Sequence, residues 1–388
     1  MIAEPRPIVL VTGSSGLIGT AVIEKLKERY KVVGLDIVGP KERPEHTAFV
    51  RCDISSDEGV QTALDQVRQE HGERIAAVIH LAAYYDFSGE PSDKYEQITV
   101  RGTQRLLRKL KQFEHVGQFI FSSTMLVHAP SEPGVAMSEE WPLQPKWAYP
   151  VSKVQTEEVI LREHEMIPCV ILRIAGVYDD YGHSLPLSQQ MARIHERTLT
   201  SHVFPGDLSH GQALVHLEDL AEAMVQTVDR REQLEDELVL LIGEPETMSY
   251  GELQRRLAEL IHGEKAWRTQ RIPKWFAAAG AWVQEKMPRA VGDPFIKPWM
   301  IGMADDHYEL DIGRARRLLN WKPVHRLAET LPKIVASLRE DTVGWYKAHK
   351  LPVPKEVKQQ AERERALAEK EHRAAEQRRR SERERAQH

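Results

Sequence analysis

The sequence predicts an α/β protein with a doubly wound parallel sheet and a smaller, interleaved C-terminal domain. Three observations support this prediction. Short apolar segments alternate with segments of helical apolar spacing over residues 1–180, a glycine-rich turn joins the first strand to the first helix, and the alternation becomes irregular after residue 180. Alternating strands and helices are typical of a parallel sheet that helices cover on both faces.

The strands of the predicted sheet are short apolar runs. They cover residues 7–13, 31–37, 75–83, 117–123 and 168–178. Apolar residues recur at helical spacing in 16–30 and 93–114. Because connections between parallel strands are right-handed, these elements are expected to place helices on both faces of one sheet.

The second half of the chain is expected to contribute to both domains. Residues 213–228 and 237–261 each return to a strand followed by a helix. We expect segments near 212–243 to rejoin the main sheet, which otherwise belongs to a domain formed by residues 1–180. The remainder of 181–345 is predicted to form the smaller substrate-binding domain.

Residues 346–388 are predicted to be a charged tail. From residue 355 onward, Val357 and Leu367 are the only large aliphatic side chains. Propensity favours a helix, but the segment has no apolar stripe with which to dock on the protein. We expect a solvated tail, helical or disordered, and a role in binding a partner is the alternative.

Composition and charge argue against several classes of protein. The formal net charge is −5, which gives no general attraction to nucleic acid. Cys52 and Cys169 are too few for a disulfide framework and fit a cytoplasmic protein. The first residues lack the pattern of a signal peptide. The nearest approach to a transmembrane segment, 275–283, is about half the ~18 residues that such a helix needs.

A glycine-rich turn, VTGSSGLIG, lies between the first predicted strand and the first predicted helix. Gly13 permits the tight turn, Gly16 lets the backbone approach a pyrophosphate, and Gly19 lets the helix pack against the strand. The helix N-terminus supplies N–H donors and the positive end of a dipole. With this flanking strand and helix, the glycine spacing indicates a Rossmann-like, dinucleotide-binding domain.

Asp36, at the end of the second predicted strand, indicates which dinucleotide binds. Its carboxylate can accept hydrogen bonds from both ribose hydroxyls and would repel a 2′-phosphate, which favours NAD over NADP. Lys41 and Arg43 follow closely and weaken this preference. Asp53 has two interpretations, a hydrogen bond to the adenine amino group or an N-cap for the helix that follows it.

The segment WAYPVSK places Tyr149 four residues before Lys153. Residues four apart on a helix lie on one face, and an ammonium beside a phenol lowers the pKa of the phenol. Such a tyrosine can serve as general base in alcohol oxidation or general acid in ketone reduction. Pro150 is compatible with this prediction, because proline is tolerated in the first helical turn.

With these motifs in this order, the sequence resembles the extended short-chain dehydrogenase/reductase family. This NAD-dependent epimerase/dehydratase family includes UDP-galactose 4-epimerase and the 3β-hydroxysteroid dehydrogenases. The matching segments, besides Asp36, are TGSSGLIG, CDI, HLAA, GTQRLL, FSST, YPVSK, LRIAGVY, VHLEDLAEA and ELDIGRARRLLNWKP. They extend over roughly residues 8–335. Their combination is specific for the family and unspecific for the substrate.

The resemblance implies roles for individual residues. Tyr149 would be the acid/base, Lys153 would hold the ribose and tune the tyrosine, and Thr124 would hydrogen-bond the reacting oxygen. A strand-end hydroxyl satisfied by backbone is the alternative for Thr124. The residues implied to contact NAD are Gly13, Gly16, Leu17, Ile18, Gly19, Asp36, Asp53, Ile54, Leu81, Ala82, Ala83, Thr99, Ser122, Tyr149, Lys153, Ala175 and Val177.

Two departures from the family pattern concern the cofactor and the reaction. Thr99 stands where many members have an asparagine, and its hydroxyl has a shorter reach than an amide. Met125 and Leu126 stand where the sugar-nucleotide 4,6-dehydratases carry acidic residues. Neither side chain can act as an acid or base, so dehydratase chemistry is not expected.

Two further departures concern the substrate. Nucleotide-sugar epimerases usually bind the substrate diphosphate with two arginines. Here Gln212 stands at one of these positions, and the acidic Asp305 and Asp306 lie at the other. We therefore expect an apolar alcohol or ketone in preference to a UDP-sugar.

Residues 267–299 are rich in tryptophan, namely Trp267, Trp275, Trp282 and Trp299. Helical spacing places Trp275, Ala279 and Trp282 on one face. One interpretation is a helix that packs onto the smaller domain. The other is an apolar lid over the substrate, or a face for peripheral membrane contact.

Four other residues carry weaker predictions. Tyr84 and Tyr85 are expected to line the substrate cleft or to cover the sheet. Asp219 is expected to cap the helix at 218–230, and His216 to be a packed strand histidine. The sequence has no cluster of His, Cys and acidic residues at metal-ligand spacing, so no metal site is predicted.

Together these observations predict an NAD-dependent enzyme that transfers hydride between nicotinamide and a hydroxyl or keto carbon of a small, sterol- or lipid-like substrate. Two alternatives stay open, a nucleotide-sugar epimerase and a non-catalytic NAD-binding regulator or scaffold. The resemblance also raises the expectation of a homodimer formed through helices that flank the sheet.

Overall fold

A parallel β-sheet with helices on both faces forms the centre of the protein. The computed structural model describes residues 6–40, 44–86, 90–279 and 298–363. The strands are β1 (Ile8–Thr12), β2 (Lys31–Asp36), β3 (Thr47–Arg51), β4 (Arg74–His80), β5 (His115–Val116), β6 (Phe119–Thr124), β7 (Cys169–Ile174), β8 (Gly176–Tyr178), β9 (Val203–Pro205), β10 (Leu214–His216), β11 (Glu237–Ile242) and β12 (Gln270–Ile272). The helices are α1 (Leu17–Leu26), α2 (Asp57–His71), α3 (Arg101–Leu110), α4 (Ala148–Glu163), α5 (Leu185–His195), α6 (Leu217–Asp229), α7 (Tyr250–His262), α8 (Pro298–Ile301), α9 (Gly313–Leu319), α10 (Leu327–Glu340) and α11 (Thr342–Ala348).

The main sheet has the strand order β3–β2–β1–β4–β6–β7–β11, and β5 pairs with β4. Every one of these pairings is parallel. The chain runs outward from β1 to β3 and then returns to β4 on the other side of β1. This reversal confirms the doubly wound sheet and places a ligand crevice beyond the carboxyl ends of β1 and β4.

Two hydrophobic cores lie on opposite faces of the main sheet, because successive side chains of a strand point to opposite faces. In β1, Val9 and Val11 belong to one core and Leu10 to the other. Helices α1, α6 and α9 complete the first core, and α2, α3 and α4 complete the second. This division explains why the strands are apolar at nearly every position.

A third hydrophobic core lies in the second half of the chain. Met191 of α5, Leu257 of α7, Ile334 of α10 and Trp345 of α11 are all buried in it. Two short parallel sheets accompany these helices, one formed by β8 and β10 and the other by β9 and β12. These elements supply the second wall of the site described below.

The predicted strand at 168–178 is two strands in the structure. β7 ends at Ile174, and β8 starts at Gly176 and pairs with β10 outside the main sheet. The N–H of Ala175 still donates to Ile242, whereas that of Gly176 donates to Ala213. Of the two strands within 212–243, β11 therefore lies in the main sheet beside β7 and β10 does not.

The predicted helix at 93–114 is also interrupted. Residues Tyr95–Val100 form a π-helical turn before α3 begins at Arg101. Turns of this kind occur frequently next to functional sites. This one brings Thr99 under the chain segment that follows β4.

Several predictions fall outside the described residues. They concern Lys41 and Arg43, Trp282 and the tail beyond residue 363. Among the helices of the four described ranges, none has both the length and the apolar character needed to cross a membrane.

Candidate active site

The glycine-rich turn lies at the carboxyl end of β1. Gly13 has a φ of +67°, and a Cβ there would lie 2.9 Å from the backbone nitrogen of Ala82. A Cβ on Gly19 would overlap the carbonyl oxygen of Gly13. Gly16 is the N-cap of α1 and brings no side chain to the first-turn N–H groups, which have no partner within the helix. The turn therefore offers an open backbone surface that fits a phosphate.

Asp36 lies beside this turn. Its Oδ2 accepts a hydrogen bond of 3.0 Å from the N–H of Ser15, and its Oδ1 accepts one of 2.7 Å from Ile37. An ionised carboxylate has about four acceptor positions, so it can still accept hydrogen bonds from ribose hydroxyls. The glycine surface and this carboxylate together fit NAD.

Asp53 and Ile54 follow β3 near the start of α2. Ser56 caps α2 through a hydrogen bond to Gly59, so the alternative that Asp53 caps this helix is wrong. Asp53 instead accepts hydrogen bonds from the Ser55 side chain and backbone, which lower the pKa of its carboxyl. Ile54 packs against Gly102 of α3, where any larger residue would meet it.

Beneath the cofactor surface, a buried histidine ties the end of β4 to its neighbours. Thr12 Oγ1 lies 2.7 Å from His80 Nδ1 and accepts hydrogen bonds from the N–H groups of Leu81 and Ala82. His80 Nε2 lies 2.8 Å from Thr103 Oγ1. Burial lowers the pKa of His80 to about 3, so the ring is neutral. The sequence contained this histidine in HLAA, but nothing in the motif indicated its partners.

Thr99 stabilises the backbone of the segment that follows β4. It is fully buried, and its hydroxyl accepts a hydrogen bond of 3.0 Å from the N–H of Tyr84. The next residue, Tyr85, lies in the wall of the cavity described below. Thr99 therefore holds the segment after β4 in place from below.

Tyr149 lies in the first turn of α4, which begins at Ala148 and includes Pro150 as predicted. Its ring is edge-on to that of Tyr85, with a centroid distance of 4.8 Å. The ring of Trp147 lies 5.4 Å away on the other side. Two aromatic side chains thus fix the phenol at the rim of the cavity.

Lys153 lies one helical turn further along α4 and is buried. Its Nζ donates a hydrogen bond of 2.6 Å to the carbonyl of Ser122. The same atom lies 5.7 Å from the ring centroid of Tyr149 and 4.7 Å from that of Phe121. The predicted pair does share one face of the helix.

Burial dominates the ionisation of this pair. It raises the pKa of Tyr149, and a hydrogen bond with Thr124 acts in the opposite direction. It lowers the pKa of Lys153 to about 7, and Glu157 opposes that shift. The expectation that Lys153 lowers the pKa of Tyr149 is not met, because the amine is directed at the Ser122 carbonyl and both groups lie in a low-dielectric site.

Each of the last three residues of β6 makes a side-chain contact that holds the end of the strand. Ser122 Oγ donates to the carbonyl of His80, and Ser123 Oγ donates to Glu157. Thr124 Oγ1 accepts a weak hydrogen bond of 3.3 Å from Leu126 and also interacts with Tyr149. The backbone contact that was the alternative for Thr124 is thus present, and the hydroxyl also reaches the phenol of Tyr149.

A buried ion pair lies behind Lys153. Arg173 of β7 donates to both carboxylate oxygens of Glu157, with the shortest distance 2.7 Å. Another nitrogen of Arg173 donates to the carbonyl of Glu139 and lies 3.2 Å from His128 Nε2. The sequence did not indicate this network, although Glu157 follows Lys153 at the spacing of one helical turn.

A cavity of about 410 Å³ joins these residues to the second half of the chain. On the sheet side its wall contains Ile18, Leu81, Ala83, Tyr85, Ser122, Ser123, Thr124, Met125, Leu126, Tyr149, Lys153, Ile174, Ala175, Gly176 and Val177. On the other side it contains His183, Ser184, Leu185, Pro186, Leu187, Gln190, Gln212, Leu214, Met248, Tyr250, Leu253 and Leu327. Catalytic candidates and the residues predicted beside the nicotinamide thus meet in one mostly apolar space.

The diphosphate positions differ from those expected of a nucleotide-sugar enzyme. Gln212 is in the cavity wall, and none of the described residues that line the cavity is an arginine. Asp305 and Asp306 are absent from this wall; Lys274 pairs with Asp305, and Lys146 lies 2.7 Å from Asp306. The two acids are therefore compensated locally.

The structure confirms the prediction for His216, which is buried at the end of β10, and corrects the one for Asp219. His216 is the N-cap of α6, with Nδ1 accepting a hydrogen bond of 3.2 Å from Glu218. Asp219 lies inside the helix, and its carboxylate accepts hydrogen bonds from the N–H groups of Val324 and His325. The N-cap is thus His216, the residue directly before α6, whereas Asp219 stabilises the loop before α10.

The tryptophans of the second half have separate environments. Trp267 is buried, and its Nε1 donates to Ser201. Trp299 lies 5.3 Å from Trp147, next to Tyr149. Trp275 is 73% exposed, in a helical segment at 274–279.

Comparison with known proteins agrees with this geometry. The model of the NAD-dependent epimerase/dehydratase family matches residues 9–243. The decarboxylating sterol-4-alpha-carboxylate 3-dehydrogenase of Candida albicans is 25% identical over 191 residues, which are 45% of this chain and 52% of that enzyme. The chain thus matches only about half the length of that relative.

Two further comparisons extend over most of the chain. UDP-glucose 4-epimerase of Azospirillum brasilense is 27% identical over 344 residues, 83% of this chain and 88% of that enzyme. The structure of Thermus thermophilus UDP-glucose 4-epimerase in complex with NAD has a TM-score of 0.62 and 23% identity, and covers 86% of this chain and 99% of its own. At this identity the structural likeness shows the fold alone.

Proposed function

Because the chain belongs to the NAD-dependent epimerase/dehydratase family of enzymes, we propose that it interconverts a hydroxyl and a keto group on an apolar, sterol- or lipid-like substrate. The observation that carries this proposal is the composition of the cavity. Tyr149, Lys153 and Thr124 share it with walls of leucine, methionine and proline, and none of the described lining residues is an arginine. A mostly apolar space of this kind suits a sterol- or lipid-like carbinol or ketone.

Tyr149 is the residue that moves the proton. Its phenol is neutral at ordinary pH, because burial raises its pKa, so it is ready to donate a proton to a ketone oxygen. In the oxidation direction it receives the proton from the hydroxyl, with Thr124 positioned to hydrogen-bond the same oxygen. NAD, when bound, supplies the hydride acceptor or donor for this interconversion.

Lys153 and the residues around the glycine turn orient the reactants. Lys153 is proposed to bind the nicotinamide ribose. Gly13, Gly16 and Asp36 are proposed to hold the pyrophosphate and the adenine ribose. The rings of Tyr85 and Trp147 restrict the phenol to orientations that face the cavity.

The experiment offers NAD and three alcohols to the purified protein, a 3β-hydroxysteroid, a long-chain secondary alcohol and UDP-galactose. NADH that accumulates with either apolar alcohol, and not with UDP-galactose, supports the proposal. Conversion of UDP-galactose to UDP-glucose without released NADH would establish the alternative, a nucleotide-sugar epimerase. Bound NAD with no conversion of any of the three would favour a non-catalytic binding protein.

A further inference from the structure

Two polar side chains in the second wall of the cavity have no part in the proton transfer proposed above. His183 lies in the loop between β8 and α5, and Gln190 lies on α5; both line the cavity that contains Tyr149. Their neighbours in this wall are apolar, among them Leu187 and Leu253. Polar groups placed in an apolar pocket are the usual means of orienting and selecting a ligand.

Asp179 fixes the orientation of His183. Its Oδ1 accepts hydrogen bonds from the N–H groups of Tyr181 and His183, at 3.0 and 2.9 Å. Its Oδ2 lies 2.6 Å from His183 Nδ1. The hydrogen bond with Asp179 raises the pKa of His183, which favours the imidazolium. Because Nδ1 is engaged, Nε2 is the nitrogen that remains to donate, and it has no hydrogen bond to any residue in the described ranges.

The ring of His349 stacks against the imidazole of His183, with ring centroids 5.1 Å apart. Its Nδ1 lies 2.7 Å from the carbonyl of Trp345, and its Nε2 lies 3.0 Å from that of Gly182. Burial lowers the pKa of His349. The hydrogen bonds to these two carbonyls oppose that shift, and the ring covers one face of the His183 imidazole.

The remaining titratable groups near His183 have their own contacts. Asp180 lies 3.3 Å from Lys333 Nζ and 3.5 Å from His216 Nε2. The ring of Tyr181 lies 6.1 Å from that of His183. Asp179 is consequently the acid that controls the charge of His183.

Gln190 provides an independent observation. The residue is 7% exposed, and its Nε2 has no hydrogen-bond partner among the described residues. A buried amide N–H without an acceptor is unfavourable, and native proteins seldom leave one. The nitrogen itself exposes almost no surface, so a ligand in the cavity would supply the missing acceptor after a rotation of the Gln190 side chain.

We propose that His183, held by Asp179, and Gln190 bind a carboxylate on the substrate, so that the site selects apolar hydroxy or keto acids. This inference rests on the proposed function, since it adds a second recognised group to the same substrate. One imidazolium and one amide N–H match the charge and the two oxygens of a single carboxylate. A diphosphate is usually bound by arginine, and none of the described lining residues is an arginine.

The test measures binding of C10 probes to the NAD-loaded protein by titration calorimetry. Decanoate is compared with methyl decanoate and decanol, which have the same chain without the charge. We expect decanoate to bind about tenfold or more tightly than either neutral probe, because a charge-assisted hydrogen bond is about twice as strong as a neutral one. The preference is expected to disappear as the pH rises through the pKa of His183.

Three variants assign the effect to these residues. His183→Gln and Gln190→Leu are each expected to remove or sharply reduce the preference without changing the affinity for methyl decanoate. Asp179→Asn keeps the backbone acceptor but lowers the pKa of His183, so the preference should be lost at a lower pH. His202→Gln, outside the cavity wall, serves as the control and should retain the preference.

Equal binding of decanoate and methyl decanoate by the wild-type protein would overturn the inference, as would an unchanged preference in His183→Gln. The assay needs no turnover, so its result is separate from that of the alcohol panel. Oxidation of neutral alcohols without a carboxylate preference would remove this inference and leave the proposed function intact. A carboxylate preference in a protein that converts none of the alcohols would remove the proposed function and leave carboxylate binding by His183 and Gln190 intact.

Discussion

Lys153 carries a buried amine, and the burial of its charged form destabilises the fold. Burial lowers its pKa from 10.5 to about 7. Between these values the unfolded chain binds more protons than the folded protein, so the free energy of unfolding rises with pH across this window. Below the folded-state pKa the full cost of burying the charged amine remains. Removing the amine should therefore stabilise the protein most at low pH.

Lys153→Met tests this in thermal unfolding without added NAD. We expect a higher melting temperature than wild type, with a larger gain at about pH 6 than at about pH 9, because the penalty shrinks as the folded lysine loses its proton. Lys322→Met, at an exposed position, should show no such difference. A gain that is equal at both pH values, or a loss, would contradict the assignment.

The buried Glu157–Arg173 pair behind Lys153 is expected to affect stability in the opposite way. Each partner neutralises the charge of the other, so removing one leaves an uncompensated buried charge. Glu157→Ala should reduce the free energy of unfolding by about 3–5 kcal/mol, because it leaves a buried guanidinium without its carboxylate. The double variant Glu157→Leu/Arg173→Met should lose less than Glu157→Ala. Urea unfolding of the three proteins measures this, and a double variant less stable than Glu157→Ala would refute the pairing argument.

At the scale of elements, the β1–α1 turn is the most sharply constrained. Gly19→Ala places a methyl group against the Gly13 carbonyl, so we expect it to destabilise the fold by about 1–3 kcal/mol, as overpacking does. NAD affinity should fall as well, since the turn must shift. Gly302→Ala, where the nearest atom is 3.6 Å from the added Cβ, is the control. Wild-type stability and NAD affinity in Gly19→Ala would show that the turn tolerates a side chain.

The elements also show how far local patterns extend. The strands of the main sheet were predictable because buried parallel strands are continuous apolar runs. The break between β7 and β8 was not, since 168–178 is apolar whether it stays in one sheet or passes to a second. The π-helical turn at Tyr95–Val100 could not be predicted either, because its residues have the same apolar spacing as the α-helix that follows.

At the scale of the whole molecule, the sequence identified residues that act locally and missed those that act at a distance. Tyr149 and Lys153 are one helical turn apart, so spacing alone placed them on one face. His80 meets Thr12 only through the register of β4 with β1, and Arg173 meets Glu157 only through the packing of α4 on the sheet. Such contacts depend on tertiary structure that no short motif encodes.

The cavity itself is a property of the whole chain. One wall comes from the strand ends of the main sheet and the other from residues after 180, so the fold must be complete before Tyr149 faces an enclosed space. The substrate preference proposed here consequently depends on both halves of the protein. The proton transfer, in contrast, is proposed to take place at a single atom, the phenol oxygen of Tyr149.

The most direct measurement is the kcat of NAD-dependent oxidation by wild type and by Tyr149→Phe, at saturating NAD and with the alcohol that the panel identifies. The account predicts a loss of about a hundred- to ten-thousandfold, as for removal of a general acid or base. Tyr30→Phe, outside the cavity wall, should retain wild-type kcat. A Tyr149→Phe enzyme with wild-type kcat would contradict the assignment of Tyr149 as the acid/base.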